Sequence, residues 1–127
     1  MGCENVCVYM SYDSDDNEFY SESIRRARKS YQCCECRRTI VPGQPYQYVS
    51  AKSDGAVWSK RTCPECAEIR RVFCCEGWVF GDLWKTVEES LFDMWKTTSP
   101  IECLARLESV EARNLMRERY VAWRDDE

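Results

Sequence analysis

The chain contains no histidine, and this absence removes a good deal of chemistry. Without imidazole there is no usual base for a hydrolytic triad and no nitrogen ligand for an HNH-type nuclease metal. Long apolar runs are missing too. No segment approaches the ~20 residues that span a bilayer, and no apolar stretch follows Met1. The expectation is therefore a chain without membrane contact that stays in the cytoplasm, where its ten cysteines read as thiols and thiolates more than as disulfides. Asp13, Asp15 and Asp16 lack the glycine and terminal glutamate of a calcium loop. They read as part of an acidic, flexible lead.

At 127 residues the chain suits one compact domain, or a small metal module with a helical addition. Five Trp, seven Tyr and four Phe supply bulk for a modest core. The net charge of −4 hides a segregation. Residues 1–20 hold five acids and no base, residues 21–71 a net +6, and residues 72–127 a net −5. A basic middle flanked by acidic ends can steer an acidic partner, or can reflect charge complementarity between the segments.

The basic middle also carries two C-x-x-C pairs, Cys33 with Cys36 and Cys63 with Cys66. Each pair can present two thiolates from a tight turn, and together they supply the four soft ligands of a tetrahedral Zn²⁺ site. Cys34 stands too close to Cys36 for that turn and is assigned outside the site, although an exchange of Cys33 and Cys34 keeps two thiols within reach. Arg37-Arg38 can close the first pair into a knuckle. Pro42-Gly43 marks a turn, and Tyr46 to Val49 and Val57 to Arg61 read as strands joined at Asp54-Gly55. Thr62 and Glu65 have capping-box spacing, and Pro64 suits a first helical turn. A helix running through Val72 and Phe73 therefore carries Cys63 and Cys66 at its N-terminus. Knuckle, hairpin, helix is the order of a treble clef.

The string CCECRRTIVPGQPY, then Trp58, then TCPECAEIR resembles the small zinc-binding proteins encoded by tailed phages and prophages. The knuckle also resembles LIM-type and other treble-clef modules. The phage likeness covers roughly residues 3–84. It implies a zinc fold, a phage origin and a place in the host cytoplasm, and it assigns no catalytic residue.

Cys3, Cys7, Cys74 and Cys75 form a less regular set. A second zinc can be drawn on them, or they can be buried core thiols. Cys103 falls in a helical pattern and reads as core or interface. Further on, Phe80, Leu83, Trp84, Val87, Leu91, Met94 and Trp95 recur at helical spacing. Ser99, Pro100 and Glu102 mark a second helix start. The fold class expected is small α+β: residues 1–78 form an N-terminal segment and a treble-clef module with four cysteine ligands, and residues 79–127 form an α-helical hairpin packed on it.

Four cysteine ligands close a zinc site to water, so catalysis is not expected. Two binding modes remain. Trp95, Met116 and Trp123 are candidates for a surface that takes a host or phage protein, or a second copy of the chain. This protein-binding reading leads. The alternative is a nucleic-acid surface built from Arg25, Arg26, Arg28, Lys29, Arg37, Arg38, Arg61 and Arg71, with Tyr46, Tyr48 and Trp58 as stacking groups. Arg25 to Lys29 can also be the solvated face of a short helix.

Overall fold

The computed structural model of the protein describes residues 17–53, 55–74 and 80–126. It is a small α+β fold. Strands β1 (Asn17–Arg26), β4 (Pro45–Ser53) and β5 (Ala56–Thr62) form an antiparallel sheet in the order β1-β4-β5. The short strands β2 (Tyr31–Gln32) and β3 (Thr39–Ile40) pair with each other. Helix α1 (Pro64–Phe73) follows directly on β5.

The β4–β5 hairpin closes between Ser53 and Ala56, with Gly55 at φ 79°. That left-handed conformation is one glycine adopts without a Cβ clash. The second turn, at Pro42-Gly43, has Gly43 at φ 89° and is closed by Gln44 N–H donating to the Val41 carbonyl at 3.0 Å. Proline sets the first central position and glycine supplies the second, as a type II turn requires.

Residues 21–29 do not form a helix: Ser21 to Arg26 lie in β1, paired with β4 from Pro45 to Ser50. Pairing along β4 satisfies the backbone groups that a helix would have satisfied internally.

The C-terminal part consists of α2 (Leu83–Val87), a π-helical segment (Glu88–Phe92), α3 (Ile101–Ala105) and α4 (Val110–Asp125). The second expected helix is thus divided. Ser109 caps α4 by accepting from Ala112 N–H at 3.1 Å, while Glu68 of α1 accepts from the Glu108 and Ser109 N–H groups at 2.5 and 3.2 Å. Those bonds satisfy amides that a continuous helix would have bonded internally. Helix α4 packs against α1 and the π-helical segment.

One apolar cluster runs from Ala27 through Ile40, Ile69, Phe73 and Phe92 to Met116. Each fully buried large side chain contributes roughly 1.5–3 kcal/mol, so the helical part and the cysteine-bearing part stabilise each other. Among the described residues no helix is long and apolar enough to cross a membrane.

Candidate metal centre and basic surface

Cys33, Cys36, Cys63 and Cys66 meet in the interior, all four buried, with their sulfurs within 4.8 Å of one another. The Cys36 and Cys63 sulfurs are 3.7 Å apart. A tetrahedron of ~2.3 Å metal–sulfur bonds has edges of ~3.8 Å, so the spacing fits one tetrahedral ion.

Local structure explains the convergence. Cys33 N–H donates to the Arg38 carbonyl and Arg37 N–H to the Cys33 carbonyl, at 2.9 and 3.1 Å, which closes the knuckle. Arg37 takes φ 68°, a conformation that costs a non-glycine residue about 1–2 kcal/mol. The turn aims the Glu35 N–H at the Cys33 sulfur at 3.4 Å, and the Cys63 N–H reaches the same sulfur at 3.3 Å. At the start of α1 the cap is Cys63, not Thr62: its sulfur accepts from Cys66 N–H at 3.4 Å. Thr62 instead contacts Cys34 across 3.3 Å. Trp84 Nε1–H donates to the Cys66 sulfur at 3.4 Å. N–H donors around a sulfur favour thiolate over thiol.

The four thiols divide their protons unevenly. Hydrogen bonding from Cys33, then from Cys63 and Cys66, drives Cys36 far below the usual thiol range. Cys36 pushes Cys33 upward, but hydrogen bonds from Cys63 and Cys66 outweigh it and bring Cys33 down to about 7. Cys63 and Cys66 are forced up by the same neighbours, Cys33 first and Cys36 second. Sulfurs this close cannot all be anionic without a cation among them. A metal ion is the group that lets all four ionise.

Cys34 is half-buried outside the group, and burial raises its thiol pKa. The ligand from this stretch is therefore Cys33. Cys74 is a buried free thiol, pushed up to about 11 by burial, and is not among the clustered sulfurs. Cys3, Cys7 and Cys75, the other members of the suggested second site, lie outside the described residues. Cys103 is disulfide-bonded, contrary to the expectation of thiols outside the centre.

Glu35, inside the knuckle, is a buried carboxylate that the sequence did not single out. Its Oε2 accepts from Arg70 Nη1 at 2.8 Å, and its Oε1 accepts from the N–H groups of Gly81 and Leu83 at 3.0 and 3.2 Å. Arg70 also donates to Gln47 and Thr62. Burial raises the Glu35 pKa, against the opposing pull of Arg70 and the two N–H donors. The carboxylate thus ties the knuckle to α1 and to the start of α2. One signal was available: Arg70 stands four residues after Cys66, on the same inward helix face.

The proposed protein-binding surface is not open. Trp95 is 4% exposed and Met116 fully buried, and only Trp123 is half-buried. Phe92 organises this region, with ring centroids of Trp95, Tyr120 and Trp123 at 5.2, 5.3 and 5.7 Å. The π-helical segment carries two adjacent buried residues, Leu91 and Phe92, and the core built on them takes in the Trp and Met side chains.

The basic candidates separate into two groups. Arg25 and Arg61 approach the Tyr48 ring, their guanidinium carbons 4.0 and 5.2 Å from its centroid, and Arg61 also lies 4.1 Å from the Tyr31 ring. Lys29 is 5.7 Å from Tyr31. Arg25, Arg26 and Arg28 line a hollow of ≈ 750 Å³ with Tyr31 and Tyr46. The others are elsewhere: Arg37 in the knuckle turn, Arg38 paired with Glu65 at 3.0 Å, and Arg71 beside Ile24 and Pro64 in a different cleft. Tyr46 is buried, and Trp58 pairs with Ala51 on the opposite sheet face, its ring against Phe80. Neither is open for stacking with the Tyr48 group.

No protein-family model, curated protein or solved structure matches the chain.

Proposed function

We propose that the protein is a non-enzymatic, zinc-stapled nucleic-acid-binding protein. The observation that carries this reading is the convergence of Arg25, Arg26, Arg28, Lys29 and Arg61 around Tyr31 and Tyr48 at one end of the sheet. Guanidinium groups held on aromatic faces present N–H donors to phosphate and flat cationic planes to bases. Four thiolates in tetrahedral spacing select zinc over hard cations, and a closed site of four cysteines serves the fold rather than chemistry. A knuckle, a hairpin and a helix whose first turn gives the last two sulfurs support the treble-clef reading. The resemblance to phage-encoded proteins makes the host cytoplasm the setting in which this binding would act.

The test is fluorescence anisotropy with labelled nucleic acids across a salt series. Binding through these cations requires affinity to fall steeply with salt, because phosphate contacts release counterions. No association even at about 50 mM salt would remove this reading and return attention to a protein partner.

A further inference from the structure

The face of the three-stranded sheet that carries Tyr48, exposed at Ser21, Ser23, Arg25, Val57 and Ser59, supports an inference that rests on the nucleic-acid reading and narrows it. Alternate residues from Phe19 to Arg25 on β1, Tyr46 to Lys52 on β4 and Val57 to Arg61 on β5 share this face by register. None of them is acidic, in a chain whose net charge is −4. Glu22 pairs with Val49 and belongs to the other side. Three cations stand on the face: Arg25, Lys52 and Arg61. Between them lie serines at positions 21, 23, 50 and 59, whose short side chains leave a shallow trough with hydroxyls along its floor.

Two aromatic groups mark the ends of the trough. Tyr48, in the central strand, is half-buried beside Arg25 and Arg61. Phe19 is 49% exposed and pairs with Lys52. Lys52 is four residues from Tyr48 along β4, so the two rings are about 14 Å apart along the strand direction. Arg61 supplies a further sign. Its Nε is buried without a hydrogen-bond partner among the described residues, and neither its guanidinium nor that of Arg25 bonds a carboxylate there. Arg25 is exposed and Arg61 partly exposed on this face.

We infer that this face is a platform for a single-stranded polynucleotide, with one base stacked on Phe19, another on the Arg25 guanidinium that the Tyr48 ring supports, and phosphates held by Arg25, Arg61 and Lys52. A duplex hides its base faces in its own stack, so rings on a flat sheet gain nothing from it. The helix that could otherwise enter a groove is poorly equipped to do so, because Arg70 of α1 is sealed against Glu35. RNA and single-stranded DNA share the chemistry recognised here.

The experiment compares labelled oligo-uridine RNA, oligo-thymidine DNA and a duplex, each about ten nucleotides long, against the full chain with its metal. Single strands are expected to bind at least tenfold tighter than the duplex, and the tighter of the two single strands identifies the natural backbone. Tyr48→Ala and Phe19→Ala should each weaken single-strand binding by roughly tenfold, and Tyr48→Phe should retain it. Arg25→Ala should reduce the salt slope by about one, whereas Lys85→Ala on α2 should not change it. Metal content and circular dichroism establish that each variant is folded. Equal binding of duplex and single strand, or indifference to both ring removals while Arg25→Ala weakens binding, overturns the platform but leaves the nucleic-acid reading standing. Absence of binding to all three probes removes both.

Discussion

Arg70 and Glu35 form an ion pair at 2.8 Å whose side chains are only 1% and 0% exposed. It joins the middle of α1 to the knuckle that carries Cys33 and Cys36, so the metal centre is braced by a second, non-metal link. A buried charge left without its partner costs about 3–5 kcal/mol. Arg70→Met and Glu35→Leu should each destabilise the fold by that order. The double variant should lose clearly less than the sum, with a coupling of about 1–3 kcal/mol, yet stay below wild type because the Gly81 and Leu83 N–H groups still lose their acceptor. A urea double-mutant cycle measures this, and simple additivity would contradict the pairing.

Metal and fold should be lost together. Elemental analysis is expected to find one zinc per chain for the Cys33–Cys36–Cys63–Cys66 group, and chelation should abolish the native circular dichroism of this part of the chain. Cys63→Ser should reproduce that loss. Cys34→Ser should keep the zinc, since Cys34 contacts Thr62 and not the sulfur cluster. Zinc lost from the Cys34 variant and kept by a Cys33 variant would mean that the ligand register is wrong.

The clustering of Cys33, Cys36, Cys63 and Cys66 was legible because C-x-x-C spacing is a local constraint: two sulfurs on one turn are brought together by the chain itself, whatever surrounds them. The Pro42-Gly43 turn and the β4–β5 hairpin were legible for the same reason. What the sequence hid depends on tertiary partners. Residues 21–29 have no strong period, and β1 exists because β4 offers it a pairing edge. The inward position of Arg70 follows from its spacing to Cys66, but nothing local reveals the carboxylate 35 residues earlier that it meets. Phe92 fell outside a stripe counted at 3.6 residues per turn, since the π-helical segment changes that count. Trp95 and Met116 are core because the Phe92 ring cluster and the packing of α4 on α1 and the π-helical segment enclose them.

Met116 gives a direct test of that reassignment. As a fully buried side chain, its truncation in Met116→Ala should cost about 2–5 kcal/mol in denaturant unfolding. A residue poised on an open partner surface would tolerate the change within about 0.5 kcal/mol. A near-neutral result would restore Met116 to the candidate interface.

Glu68 should make stability depend on pH in a defined direction. Burial pushes its carboxyl upward, but hydrogen bonds from the Ser109 side chain and from the Ser109 and Glu108 N–H groups outweigh this and hold it below its ordinary value of 4.5. A folded value below the unfolded one means that the ionised group stabilises the fold. That stabilisation is fully present well above 4.5 and is lost as pH falls through the depressed folded value. Glu68→Ala leaves two backbone donors without their acceptor, so it should cost about 1–3 kcal/mol at neutral pH. The gap between wild type and Glu68→Ala in urea midpoint should then narrow as the solution is acidified past 4.5. Protonation of the thiolate ligands affects both proteins alike, so the difference isolates Glu68. A gap that stays constant from neutral pH into that acidic range would show that the carboxylate charge does not hold α1 to the start of α4.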